Sequence, residues 1–126
     1  MKKYAIQFLA ALPGVIMLRN AVGLLVTPTH VLDDLGMPML NGLARNTELS
    51  DLTAFFLAAT GFIFYGAIRS APSWLYASAW MLGLAAAGRV FTWAAHGAAF
   101  ATTLFIIECV LTLWLIVSAW LLGRAS

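Results

Sequence analysis

Charge is what this sequence has least of. Its 126 residues include only 7 lysines and arginines and 5 aspartates and glutamates, against 63% hydrophobic residues. A soluble domain usually devotes roughly a quarter of its residues to charge in order to build a solvated surface. This chain cannot build one, which excludes an ordinary soluble enzyme or binding module and leaves lipid as the solvent that fits. Cysteine is nearly absent: Cys109 stands alone inside a long apolar run, cannot form an internal disulfide, and is read as core. The two histidines, His30 and His96, lie far apart, and no Cys/His spacing resembles a zinc site, so no metal is expected. Basic residues are scattered singly apart from Lys2 and Lys3, and the net charge is only +2, so nucleic acid is not an expected partner. Phosphate-cradling glycine loops, paired-histidine zinc helices and nucleophile elbows are missing as well. No catalytic constellation or cofactor motif is visible, and neither enzymatic activity nor a cofactor is expected.

What is present is a series of long apolar runs. Crossing the hydrocarbon takes roughly 20 mostly apolar residues. The first run, Tyr4 to Val26, contains Pro13-Gly14, Arg19 and Asn20. Its length exceeds the usual signal-peptide core, so it is read as a retained first helix, although small residues at Ala10 and Ala11 would suit cleavage. A second span is expected at 51–69, opened by Ser50 as N-cap and Asp51 in the first turn. From Ala71 to Gly123 the chain is too long for one crossing and must fold back. The break is placed at His96-Gly97-Ala98, giving spans at 72–95 and 99–122, with Pro72 in the first turn. The expectation is an all-α, four-helix transmembrane bundle in a single membrane domain.

The connection 27–50 is the one long loop and is placed on the outer side. Its centre, Val31 to Leu43, mixes apolar residues with Asp, Gly and Pro, and reads equally as a short interfacial helix over the bundle or as a plain surface loop. One side of the membrane would hold Lys2, Lys3, Arg69 and Arg124; the other would hold Arg45 with Asp33, Asp34, Glu48 and Asp51. The positive-inside rule then puts both termini in the cytoplasm. Trp74 and Tyr76, Trp93 and Trp120 fall near expected span ends, where amphipathic rings are enriched.

Three ionisable residues fall inside expected spans: Arg19, Arg89 and Glu108. A charge at a helix centre costs roughly 2.5–3.5 kcal/mol even on lenient scales, so these groups should face the interior and pair. Counted from mid-span, Arg19 and Arg89 lie about 6 Å toward the outside and Glu108 about 4 Å, which puts all three in one layer. The layer reads first as a structural ion pair locking helices together, then as a ligand or proton site, and least as lipid-snorkelling arginine. Two guanidiniums against one carboxylate leave a positive excess. The missing anion would be a carboxylate folding in from Asp33, Asp34, Glu48 or Asp51, or else a lipid head group or a quinone-like or anionic ligand.

Ser78, Ala85, Arg89, Thr92 and His96 form one helical face, and Ala79, Gly83 and Ala87 form a small-residue ladder on the opposite side. Glu108 and Thr112 share a face at i, i+4. Such a stripe could line a polar cavity, but small hydroxyls in membrane helices more often bond backbone carbonyls. His96 reads as an interfacial histidine before a proton-exchanging one. Asn20 reads as an interhelical hydrogen-bond donor.

A set of residues resembles a known family. Leu18-Arg19 is followed by Gly23 and Pro28, and Leu35-Gly36 lies in the loop. Asp51 and Thr53 open the second expected span, Gly88-Arg89 lies in the third, His96-Gly97 at the turn, and Glu108 in the fourth. Together they resemble the bacterial "domain of unknown function 4345" family and, more distantly, the DoxX-like four-helix membrane proteins. Many such proteins carry Asp-Gly after the third helix where this chain has His96-Gly97. The resemblance implies a four-helix fold in a bacterial inner (plasma) membrane and no assigned activity; some DoxX-like relatives are small subunits of quinone-linked oxidoreductases. The leading expectation is therefore a non-enzymatic structural or accessory subunit, with the bilayer as partner and a homo-oligomer or larger membrane complex compatible with it. A membrane-embedded site for a quinone, lipid or small anion is the second reading. A small dimeric transporter coupled through Glu108 is the third, disfavoured because a carboxylate held by arginine exchanges protons poorly.

Overall fold

The computed structural model describes residues 2–125. Five helices account for nearly all of it: α1 (Lys3–Val26), α2 (Pro28–Asp34), α3 (Gly42–Ile68), α4 (Pro72–His96) and α5 (Thr102–Ala125), with no strand among the described residues. Of these, α1, α3 and α5 are long and apolar enough to cross a membrane. The expected third span, α4, has 25 residues but is less apolar: three tryptophans, two serines, Thr92 and Arg89 dilute its leucines and alanines.

Each long helix buries one stripe at helical spacing. In α1 it runs through Ile6, Ala10, Met17, Ala21 and Leu24; in α3 through Phe56, Ala59, Ile63 and Ala67; in α4 through Leu75, Ala79 and Leu82; in α5 through Leu111, Leu115, Ala119 and Leu122. The remaining faces are apolar too, with Phe8, Leu25, Trp80, Phe91 and Leu113 all exposed. An apolar outer surface of this extent, on helices long enough to cross a membrane, suits lipid as the surrounding solvent. In that solvent, helices associate by close packing rather than by the hydrophobic effect. Hence the many alanines in the seams, and Gly14, where a Cβ would lie 2.9 Å from Phe64 Cε1 and 3.0 Å from Ile63 Cγ2.

The four long helices pack in a ring. α1 lies against α3 and α5, and α4 lies against the same two. Short links, 69–71 and 97–101, return the chain antiparallel on itself; Gly97, with φ +68°, provides the left-handed end of α4. Polar ties cross the seams. Gln7 Nε2 donates to Ala67 O (2.9 Å), Ile68 O (3.2 Å) and Ser70 Oγ (3.1 Å), covering the C-terminal end of α3. Trp114 Nε1 donates to Leu9 O at 2.7 Å, and Ser78 Oγ to Ala59 O at 3.2 Å.

Several expected boundaries shift. The second span does not begin at Ser50: α3 starts at Gly42, with Asn41 at its N-cap, and Ser50 and Asp51 lie inside it. Leu43 to Leu49 contains no glycine or proline and continues the helix past the apolar run. The fourth long helix starts at Thr102 rather than residue 99 and continues to Ala125. The connection 27–50 is neither a plain loop nor a helix at its centre. Its helix is α2, opened by Pro28, with Val31 and Leu32 buried. A non-helical strap follows between Gly36 (φ +75°) and Gly42 (φ +61°), left-handed positions that let the chain turn away from α2 and back into α3.

Candidate functional site: a polar-walled cavity between the long helices

Arg89 and Glu108 meet across the α4–α5 seam. Arg89 Nε donates to Glu108 Oε1 at 2.6 Å and Nη2 donates to Oε2 at 3.2 Å, a two-pronged pairing of guanidinium and carboxylate. The side chains are 28% and 13% exposed, respectively. Thr112, one turn beyond Glu108, donates its hydroxyl to Glu108 O at 2.6 Å, so its polarity is absorbed by its own helix. Two of the five guanidinium donors are thereby used, leaving three directed elsewhere.

Both residues line a half-open cavity of about 440 Å³ to which all four long helices contribute. Asn20 enters from α1 and Asp51 from α3, completing a polar wall of four side chains. The rest is apolar: Leu52, Phe55 and Phe56 from α3, Leu104 from α5, and Leu35 and Met37 from the segment after α2. Phe55 and Phe56 sit edge to face, with centroids 5.3 Å apart. A few polar groups converging on an apolar pocket of this size are the usual make-up of a small-molecule site.

The strap over this region is tied to α3 at Leu40 and Asn41. Leu40 N–H donates to Glu48 Oε1 at 3.2 Å, while Arg45 Nε donates to Leu40 O at 2.7 Å. Arg45 Nη2 also donates to Asn41 Oδ1 at 3.0 Å. Both backbone groups of Leu40 are thus held by oppositely charged side chains three residues apart on α3.

Arg19 does not join the polar layer, contrary to the expected three-way pairing. It is exposed and forms no ion pair among the described residues. The reason lies in the helix period. Arg19 follows Met17 by two positions, about 200° round the wheel, and so points away from the buried stripe. Asn20 is closer to that stripe and reaches the cavity in its place. Arg19 instead lines a separate, smaller half-open groove with His30 and Asp34 beside α2.

The other candidates separate as follows. Asp33 is exposed on α2, and Asp51 is the one of the four carboxylates Asp33, Asp34, Glu48 and Asp51 that lines the cavity. Thr92 and His96 are exposed at the far end of α4; Thr92 borders a shallow cleft, and the His96 ring lies edge-on to Phe91 at 5.6 Å. Sequence reasoning gave no role to Gln7 and treated Glu48 only as one nearby carboxylate among several, yet Glu48 is buried, at 7% exposure. The i, i+3, i+4 spacing of Glu48, Asp51 and Leu52 was the available signal that they share a face. No group of three metal-ligating side chains occurs among the described residues.

Comparison with protein-family models, with curated proteins and with solved structures finds no match to this chain.

Proposed function

We propose that this chain is a multi-pass membrane protein that holds a small, largely apolar molecule with one polar group between its helices. The observation that carries this reading is the cavity of about 440 Å³ where α1, α3, α4 and α5 meet, apolar except for Asn20, Asp51, Arg89 and Glu108.

In this reading the chain crosses four times. The 25 residues of α4 reach about 37 Å, longer than the roughly 30 Å hydrocarbon core. It lies antiparallel between two helices that are themselves span-like, its arginine is paired, and its Ser78 hydroxyl is bonded. The positive-inside rule orients the bundle. Lys2, Lys3, Arg69 and Arg124 gather at one end, where Gln7 touches Ser70 and where a Cβ on Gly123 would lie 3.5 Å from Pro72. Both termini are then cytoplasmic, and the cavity lies in the outer half of the plasma membrane. Membership of the "domain of unknown function 4345" family is part of the same proposal and rests on the residues quoted for the resemblance.

Native mass spectrometry of protein extracted in a mild detergent tests the binding reading. A retained small molecule is expected with the wild type and lost in Ala85→Phe, which fills the cavity from α4. A second reading has its own support: the two-pronged Arg89–Glu108 pair ties α4 to α5, as a purely structural lock would. Absence of any bound molecule from both proteins, with a stability loss in Glu108→Gln, favours the lock and rejects the site.

A further inference from the structure

Glu48 carries a buried carboxylate oxygen that no described residue bonds. Oε1 accepts from Leu40 N–H, but Oε2 is buried with no hydrogen-bond partner among the described residues. Arg45, the guanidinium one turn earlier, is engaged with Leu40 O and Asn41 Oδ1 and forms no ion pair with Glu48 among the described residues. A buried anionic oxygen lacking a donor is costly and uncommon.

Its position gives the missing partner a place. Glu48 lines an open groove of about 640 Å³ between α3 and the strap, and three residues of that groove, Met37, Asp51 and Leu52, also line the cavity. Groove and cavity therefore adjoin across shared walls. Together they are lined by Glu48, Asp51 and Glu108 against Arg89 alone, a formal charge of 1 − 3 = −2. Counting Arg45 at the groove's edge still leaves −1. Glu108 is already matched by Arg89, so the uncompensated charge sits on Glu48 and Asp51, neighbours on one face of α3.

We propose that groove and cavity form one site for a lipophilic cation: an apolar body in the cavity beside Phe55 and Phe56, with an ammonium-type head at Glu48 and Asp51. This rests on the cavity reading above and narrows its ligand class. A positive head supplies a counter-charge to Glu48 and Asp51. The two phenyl rings add apolar surface for the body of the molecule. An anionic ligand, expected from two guanidiniums in the layer, loses its basis because Arg19 lies outside the cavity.

The test uses the full chain in phosphatidylcholine nanodiscs and three fluorescent probes sharing a naphthylbutyl body. One ends in a primary ammonium, which can donate to a carboxylate oxygen, one in a hydroxyl and one in a carboxylate; binding to empty nanodiscs is subtracted. The ammonium probe is expected to bind at least about tenfold more tightly than the alcohol, and the carboxylate more weakly than either. Glu48→Gln and Asp51→Asn should each shrink the ammonium-to-alcohol ratio by about threefold or more, leaving the alcohol's affinity within about twofold. Should Glu48→Gln fold poorly, Asp51→Asn, at an exposed residue, carries the test. Equal affinity for ammonium and alcohol, both lost in Ala85→Phe, overturns the cation assignment and leaves the cavity reading standing. Tightest binding of the carboxylate overturns it in favour of Arg89. Binding of none of the three rejects the cavity reading and this inference with it.

Discussion

Removing the charge from Arg89 and Glu108, singly and together, measures what their contact contributes. Its two hydrogen bonds are unequal, 2.6 Å and 3.2 Å, and the second is near the limit of a useful bond. Bonds to charged groups contribute about 1.5–3 kcal/mol each when well made, so a coupling of about 2–3 kcal/mol is expected for the pair. The single variants should differ. Arg89→Met strands the more buried partner, the carboxylate, 13% exposed, and should cost about 3 kcal/mol. Glu108→Leu strands the guanidinium, whose long stem can turn toward the surface, and should cost about 2 kcal/mol. The double variant leaves no unpaired charge and should also cost only about 2–3 kcal/mol. Equilibrium unfolding in mixed micelles reads all four proteins. Additive costs, with the double variant losing about 5 kcal/mol, would refute the idea that these two groups act as one unit.

Three further outcomes follow from other contacts. Gly14→Ala should destabilise by about 1–3 kcal/mol in thermal unfolding, because Ile63, fully buried and β-branched, cannot yield to a Cβ at 3.0 Å; an unchanged midpoint contradicts the close α1–α3 seam. Gln7→Leu removes the donor shared by Ala67 O, Ile68 O and Ser70 Oγ and should cost about 1 kcal/mol, with faster hydrogen exchange around 69–71 as the local readout. Arg19→Ala should change stability by no more than about 0.5 kcal/mol, since the side chain is exposed and forms no ion pair among the described residues. A loss as large as that of Arg89→Met would return Arg19 to the polar layer.

The membrane-suited, all-helical character was legible because composition points to lipid and apolar runs of span length gave the long helices to within a few residues except at one end. That exception, the start of α3, was hidden because hydropathy marks an apolar run and not where a helix begins; Leu43 to Leu49 is too polar to extend the run but helical enough to continue. Depth counting placed Arg89 and Glu108 in one layer, since rise per residue is fixed. It could not place Arg19, because depth carries no information on azimuth, and the buried stripe that sets the azimuth of α1 emerges only from packing against α3 and α5. Glu48 was obscured for a related reason. Its burial comes from the strap folding back so that Leu40 meets it, a contact set by the left-handed turns at Gly36 and Gly42 rather than by residue pattern.

The central claim is that an apolar ligand lodges between these helices and does not merely coat their outside. Photolabelling of the nanodisc-embedded protein with a diazirine form of the naphthylbutyl ammonium probe, read residue by residue by mass spectrometry, puts it to the most direct test. Adducts concentrated on Met37, Leu52, Phe55 and Leu104, and suppressed by excess unlabelled probe, are the predicted result. Adducts confined to outward-facing Leu57, Trp80, Ile106 and Val117, with no suppression, would contradict it.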